Sequence, residues 1–189
     1  DVPNSARALL LLGKAHELAA FLGEHVAAVL PGVDAGDLPA ELIAHGADVV
    51  YAIEHPDLAT FVPISHKAAI AALVREHRPQ VMLFGATPMG RELGPRIAYA
   101  CDSGLTADCT KLEIGDYAKG GQDLVGILKQ TRPALGGNIM ATIMTKDSPT
   151  QMATVRPGVF KVPPRQDTRT GRGVSSTPDL SRSQGGVPM

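Results

Sequence analysis

A chain of 189 residues with a formal charge of −1 has the length for one domain with a sizeable core and lacks the charge footprint of a nucleic-acid binder. Tryptophan is absent and aromatics make up 4% of the chain, which excludes the stacking platforms that hold single strands. No apolar run approaches the roughly 20 residues needed to span a bilayer; Ala8 to Leu12 is cut short by Gly13 and Lys14, and no cleavable signal peptide is expected.

In chain order, Ser5 to Leu22 predicts a helix with Leu9, Leu12, His16, Ala19 and Ala20 near one face and Gly23 as its stop. His16 reads there as a packed or half-exposed histidine. His25 to Leu30 predicts a short strand ending at Pro31-Gly32. Leu38 to His45 predicts a second helix with Gly46 as its C′ residue, and Asp48 to Ile53 the next strand. A third helix is expected over Ser65 to His77, capped by Ser65, with Ala69, Ile70, Leu73 and Val74 facing inward. Gln80 to Ala86 is almost continuously apolar, as a parallel strand buried on both faces is. Thr87 or Pro88 then opens a fourth helix running to about Cys101.

This alternation of strand and helix specifies βαβ units, so the expected fold is α/β, a doubly wound and mostly parallel sheet of Rossmann-like type. Such sheets usually begin on a strand, whereas this chain opens on a helix, and an edge or central strand is expected to have been lost from this N-terminus. After Cys101 the pattern changes. Leu105 to Ile114, Leu124 to Gln130, Ile139 to Thr145 and Gln151 to Val155 read as strands with no helices between them, turning at Gly120-Gly121 and Ser148-Pro149. They are expected to extend or complete the sheet, at least partly antiparallel. From about Val162 the chain runs into Pro, Gly, Ser, Arg and Thr, which divides it into an α/β domain over 1–162 and a linker or disordered tail over 163–189.

Several stretches carry possible chemistry. Ligands of open α/β sheets bind beyond the carboxyl ends of the strands. Gly85-Ala86-Thr87 lies at such an end, before a helix N-terminus whose amides suit a phosphate, although no GxGxxG or Walker motif is present. Arg91 and Glu92 on that helix read equally well as an exposed ion pair. Thr106, Asp108 and Thr110 alternate and would share one strand face, either at a site or on a solvated edge. Cys101 and Cys109 read as reduced thiols in or near the core, without enough neighbouring ligands for zinc, and they point to a cytosolic or similarly reducing compartment. In Gln130 to Asn138 (QTRPALGGN), Arg132 sits between Thr131 and Pro133, ahead of Gly136 and Gly137. Pro133 biases Arg132 toward an extended backbone, and a fixed guanidinium suits a phosphate, a carboxylate or a heteroaromatic nitrogen. A strand end, a turn and a surface arginine describe the same residues. No Ser-His-Asp or Cys-His set and no metal-ligand spacing is present.

LFGATPMGRELGPRIA (83–98), GLTADCTKLEI (104–114), QTRPALGGNIMATI (130–143) and MATVRPGVF (152–160) together resemble the N-terminal domain of electron transfer flavoprotein α-subunits, over most of residues 5–162. The resemblance implies an α/β domain that pairs with a β-subunit. It also implies that the α-subunit's own FAD belongs to a separate C-terminal domain, absent from Thr170 to Met189. The QTRPALGG form is similar to that of NADH-dependent, electron-bifurcating members. There the counterpart of Arg132 approaches a FAD held mainly by the β-subunit, which makes Thr131, Arg132, Pro133, Gly136, Gly137 and Asn138 the expected cofactor-binding residues. Redox partners implied by the family are acyl-CoA dehydrogenases or a quinone reductase. Two other readings remain at this point: a stand-alone module binding adenine nucleotides such as AMP or ATP, and a scaffold that only docks the β-subunit.

Overall fold

The computed structural model describes residues 4–119, 122–137 and 139–180. The turn expected at Gly120-Gly121 lies outside them. Among the described residues four α-helices and nine strands follow one another: α1 Asn4–Leu22, β1 Ala27–Gly32, α2 Leu38–Ala44, β2 Val49–Glu54, α3 Pro63–His77, β3 Val81–Gly85, α4 Pro88–Ala100, β4 Leu105–Cys109, β5 Lys111–Lys119, β6 Gln122–Ala134, β7 Ile139–Ile143, β8 Gln151–Val155 and β9 Arg172–Ser176. The architecture is α/β, as the alternation specifies, with two parallel sheets and one antiparallel sheet.

The first parallel sheet has the order β1-β2-β9 and the second the order β3-β8-β4. β5, β6 and β7 form the antiparallel sheet. β8 is the middle strand of its sheet and all five of its residues are buried. It therefore completes its sheet, running parallel between β3 and β4, while the antiparallel part of the expectation falls on β5 to β7. Helices cover the sheets and three apolar clusters result. Ile70, Ile97 and Leu93 of α3 and α4 pack with Phe84 and Met152; Leu9 and Leu12 of α1 pack with Leu42 and Val50; Leu18 packs with Leu112, Leu128 and Val155. Helix α1 thus serves two clusters, through Leu12 on one side and Leu18 on the other.

Several local features differ from expectation for identifiable reasons. Helix α3 starts two residues before Ser65, because Pro63 at its first position has the helical φ and needs no N–H partner. Ser65 is consequently buried inside the helix instead of capping it. β3 is only half-buried apart from Phe84, although its sequence reads as buried on both faces. Among the described residues, β1 and β3 pair along one edge only, and a cleft of about 670 Å³ lies between them, lined by Leu12 and Leu18 of α1, Val29, Leu73 and Leu83.

The segment expected as a linker or disordered tail is ordered where it is described. β9 adds in parallel to β2, Val174 opposite Tyr51. Arg169 donates from Nη2 to Asp48 Oδ1 at 2.6 Å and to the Gly46 carbonyl at 3.3 Å, and Gln166 N–H donates to Ala44 O at 2.8 Å. His16, expected to be packed or half-exposed, is half-buried with Nε2 against the same Gly46 carbonyl. Polar composition concealed a strand whose stability comes from backbone pairing and a guanidinium anchor. Leu180, beyond it, is buried in the first cluster.

Candidate functional site

Three parallel strands deliver their carboxyl ends to one place. Gly85 ends β3, Val155 ends β8 and Cys109 ends β4, and the register sets Gly85 and Cys109 opposite Val155. The residues that follow, Ala86 and Thr87, Arg156 and Thr110, therefore collect at a single sheet edge, where ligands of such sheets bind.

β4 does not run straight to that edge. Its register with β8 breaks between Thr106 and Cys109, and Asp108 takes a left-handed backbone with φ of 62°. Aspartate tolerates that region better than most residues, and here its N–H donates to Thr154 Oγ1 at 2.8 Å. The carboxylate is then met by two arginines. Arg156 donates from Nη2 to Oδ2 at 2.6 Å and from Nε to Oδ1 at 3.3 Å, and Arg91 donates from Nη2 to Oδ1 at 3.4 Å. Arg91 also donates from Nε to Ala86 O at 3.0 Å, so the loop after β3 and the carboxylate share one guanidinium. The hydrogen bond from Arg156 holds the Asp108 carboxyl below its usual range against the opposing effect of burial, and the charges of Arg156, Arg91 and Arg132 act in the same direction as the bond.

Arg132 enters from β6. Thr110 N–H donates to Thr131 O at 2.9 Å and Lys111 pairs with Thr131, which brings β6 against the end of β4. The Thr131 hydroxyl lies 2.9 Å from that of Thr142 on β7, and Arg132 pairs with Ala141. The Arg132 side chain is half-buried and its Nε donates only a long bond, 3.4 Å, to Pro133 O. No carboxylate among the described residues forms an ion pair with it, so most of its donor fork is uncommitted. Gly136 and Gly137 follow in a tight turn with φ of 70° and 93°. No atom lies within 4 Å of where a Cβ would stand on either, which leaves their backbone in open space. Asn138 falls outside the described residues.

Cys109 is fully buried, with Sγ 3.5 Å from Thr106 O. Burial pushes its thiol up to about 11, with the Arg132 charge opposing and the Asp108 charge adding. Cys101 is likewise free and buried, as the cysteine usage predicts.

The structure brings Arg91, Asp108 and Arg132 together and adds Arg156, which the motif reading passed over. An arginine directly after a buried parallel strand was the available signal. Other expectations change. Thr106, Asp108 and Thr110 do not share a face, since the bulge intervenes and Thr110 falls between β4 and β5. Glu92 pairs with Arg96 rather than with Arg91. The amides expected to hold a phosphate are partly taken: Ala86 N–H donates to Val155 O at 2.7 Å and Gly90 N–H to Thr87 Oγ1 at 3.1 Å. Among the described residues there is no His/Cys/Asp/Glu group arranged to hold a metal ion, and no helix long and apolar enough to cross a membrane.

Residues 6–179 match the sequence profile of the electron transfer flavoprotein domain. The chain is 46% identical over 176 residues to electron transfer flavoprotein subunit alpha of Thermoanaerobacterium thermosaccharolyticum, covering 93% of this chain and 51% of that protein. It is 44% identical over 171 residues to the corresponding subunit of Megasphaera elsdenii, covering 90% and 48%. The LctC subunit of the lactate dehydrogenase (NAD(+),ferredoxin) of Acetobacterium woodii is 43% identical over 155 residues, covering 82% of this chain and 35% of LctC. The chain therefore spans about half the length, or less, of these curated relatives.

Proposed function

This chain belongs to the electron transfer flavoprotein family, and from that premise we propose that it works as part of an α-subunit that passes electrons between flavins and partner dehydrogenases. A FAD held mainly by a β-subunit would be shared across the heterodimer and would supply the redox chemistry. Residues 1–162 are the proposed working unit, with residues 163–180 docked against it.

The observation that carries this reading is the donor set of Arg132. Half-buried Arg132 keeps uncommitted N–H groups at the end of the strand that leads into Gly136 and Gly137, whose backbone lies open. Such a fork matches an acceptor nitrogen of a flavin ring, and the two glycines permit close approach. With Asn138, Thr131 and Pro133 they form the proposed contact. A fixed cation in a site dried by the partner favours the anionic, reduced form of a bound flavin, and tuning of this kind is the protein's share of cofactor chemistry. β7 exposes Ile139, Met140 and Ile143 beside this loop, an apolar surface suited to docking a β-subunit.

We assign the chain to the NADH-dependent, bifurcating class on its QTRPALGG sequence and on its similarity to LctC, whose name couples NAD(+) and ferredoxin. Acyl-CoA dehydrogenases or a quinone reductase are the proposed redox partners and the cytoplasm the proposed compartment.

The test is flavin content and potential. The chain alone should carry no flavin, and the chain purified with its β-subunit should carry FAD. Arg132→Ala in that assembly should lower the FAD potential. FAD held by the chain alone, or an unchanged potential in Arg132→Ala, would refute the placement. Binding of AMP or ATP without a partner would favour the nucleotide module instead.

A further inference from the structure

We propose that Asp108 is a positioning residue for this site, a single carboxylate that pins Arg156 and Arg91 next to Arg132 and sets the net charge of the edge the flavin would face. The inference rests on the reading of Arg132 given above and extends it to a residue that no flavin contact requires.

The geometry carries it. Asp108 stands where four elements meet, the end of β4, the end of β8, the start of α4 and the crossing of β6. Its left-handed backbone exists only because β4 bulges, and the bulge is held by the bond from Asp108 N–H to Thr154 Oγ1. A straight β4 would carry this side chain to another position. With the bulge, one carboxylate accepts from both Arg156 nitrogens and from Arg91, and charge-assisted contacts of this two-point kind fix orientation as well as distance. Three guanidinium groups and one carboxylate leave the edge with an excess of two positive charges. Without Asp108 the excess is three, and neither Arg156 nor Arg91 retains a carboxylate partner among the described residues.

Both arginines are about half exposed in the chain by itself, 46% for Arg156 and 60% for Arg91, so salt and water screen the cluster there. A partner that covers the edge and excludes water strengthens every one of these interactions. Asp108 therefore acts chiefly in the assembled protein, as a counter-charge that restrains how strongly the arginines favour reduced flavin.

The experiment compares wild type, Asp108→Asn, Asp108→Glu and Arg132→Ala, each purified with the β-subunit and FAD, and measures the FAD midpoint potential. Asp108→Asn should raise the reduced-to-oxidised ratio about tenfold at a fixed poise, which is about 30 mV for a two-electron couple. Asp108→Glu should return most of that shift, whereas a merely structural role would give no such charge-dependent rescue. No shift, or a downward one, in Asp108→Asn while Arg132→Ala does shift would overturn the role of Asp108 and leave the flavin placement standing. No shift in either variant would overturn both.

A readout without flavin checks the pinning directly. In the ¹⁵N spectrum of the chain assembled with its β-subunit and stripped of FAD, the Arg156 Nε–H should exchange slowly with water in wild type and rapidly in Asp108→Asn; equal exchange would overturn the proposal. Should Asp108→Asn fail to assemble, Arg156→Gln tests the same link from the other side. It removes one cation and should lower the FAD potential, and an unchanged value would count against the cluster.

Discussion

Replacing Gly90 by alanine sets two physical effects against each other, and the structure decides which wins. Gly90 lies in the first turn of α4, and alanine is the better helix former by up to about 1 kcal/mol. A Cβ built on Gly90, however, would stand 1.9 Å from Gly85 O and 3.1 Å from Gly85 C. Ordinary contact begins near 3.5 Å, so α4 and the end of β3 must separate by about 1.5 Å. The obstructing atom is a strand carbonyl, which has no rotamer to change. Overpacking of this kind costs about 1–3 kcal/mol, and an unyielding neighbour places this case at the upper end. The expected net loss is about 2 kcal/mol after the helix-propensity gain is subtracted. For a chain of this length that corresponds to a fall in Tm of about 4–8 °C, measured by circular dichroism on heating. A Tm equal to or above that of wild type would show that α4 does not rest on Gly85 as described.

Two pH-linked predictions follow from the same edge. Asp108, facing Arg156, Arg91, Arg132 and the neutral Cys109 thiol, has a folded-state pKa below its unfolded value. Its contribution to stability is therefore complete above about pH 4, the unfolded value, and is lost as pH falls below that toward the folded value. Asp108→Asn should flatten this acid limb in denaturant titrations at about pH 2–5, and an identical limb in both proteins would contradict the pairing. Cys109 runs the other way. Its folded pKa is raised to about 11, so its contribution is complete below about pH 8.5, where the unfolded thiol ionises, and declines as pH climbs from there toward the folded value. The native chain at pH 8 should leave Cys109 unmodified by iodoacetamide until denaturant is added. Modification of native Cys109 at the rate of a free thiol would contradict its burial.

Much of the fold was legible because local rules and tertiary packing agree. The β2, α2 and α4 segments lie within two residues of where their patterns place them, and Thr87 caps α4 by accepting from Gly90 N–H. Failures occur where a distant partner decides. Leu105 to Ile114 reads as one strand because its residues are β-compatible throughout, but β8 and β6 claim different halves of it. The turn between them is visible only once both partners are in place. Arg172–Ser176 is too polar to signal a strand, yet an open edge of β2 needs only backbone groups to accept one.

The site divides along the same line. Arg132 and its glycines could be singled out because a proline, a β-branched residue and two glycines constrain the backbone within one short stretch. The Asp108 cluster had no such local signature. Arg156 lies 48 residues from Asp108, and their contact depends on β8 threading between β3 and β4 in parallel. Exposed ion pairs contribute little to stability, so stability does not account for setting Arg91 and Arg156 on one carboxylate with Arg132 at the same edge. Like charges held this close repel, and a fold that only needed to close would gain by separating them. The arrangement is intelligible if the edge faces something anionic or electron-accepting, in which case the excess charge is what the site supplies and Asp108 limits how much.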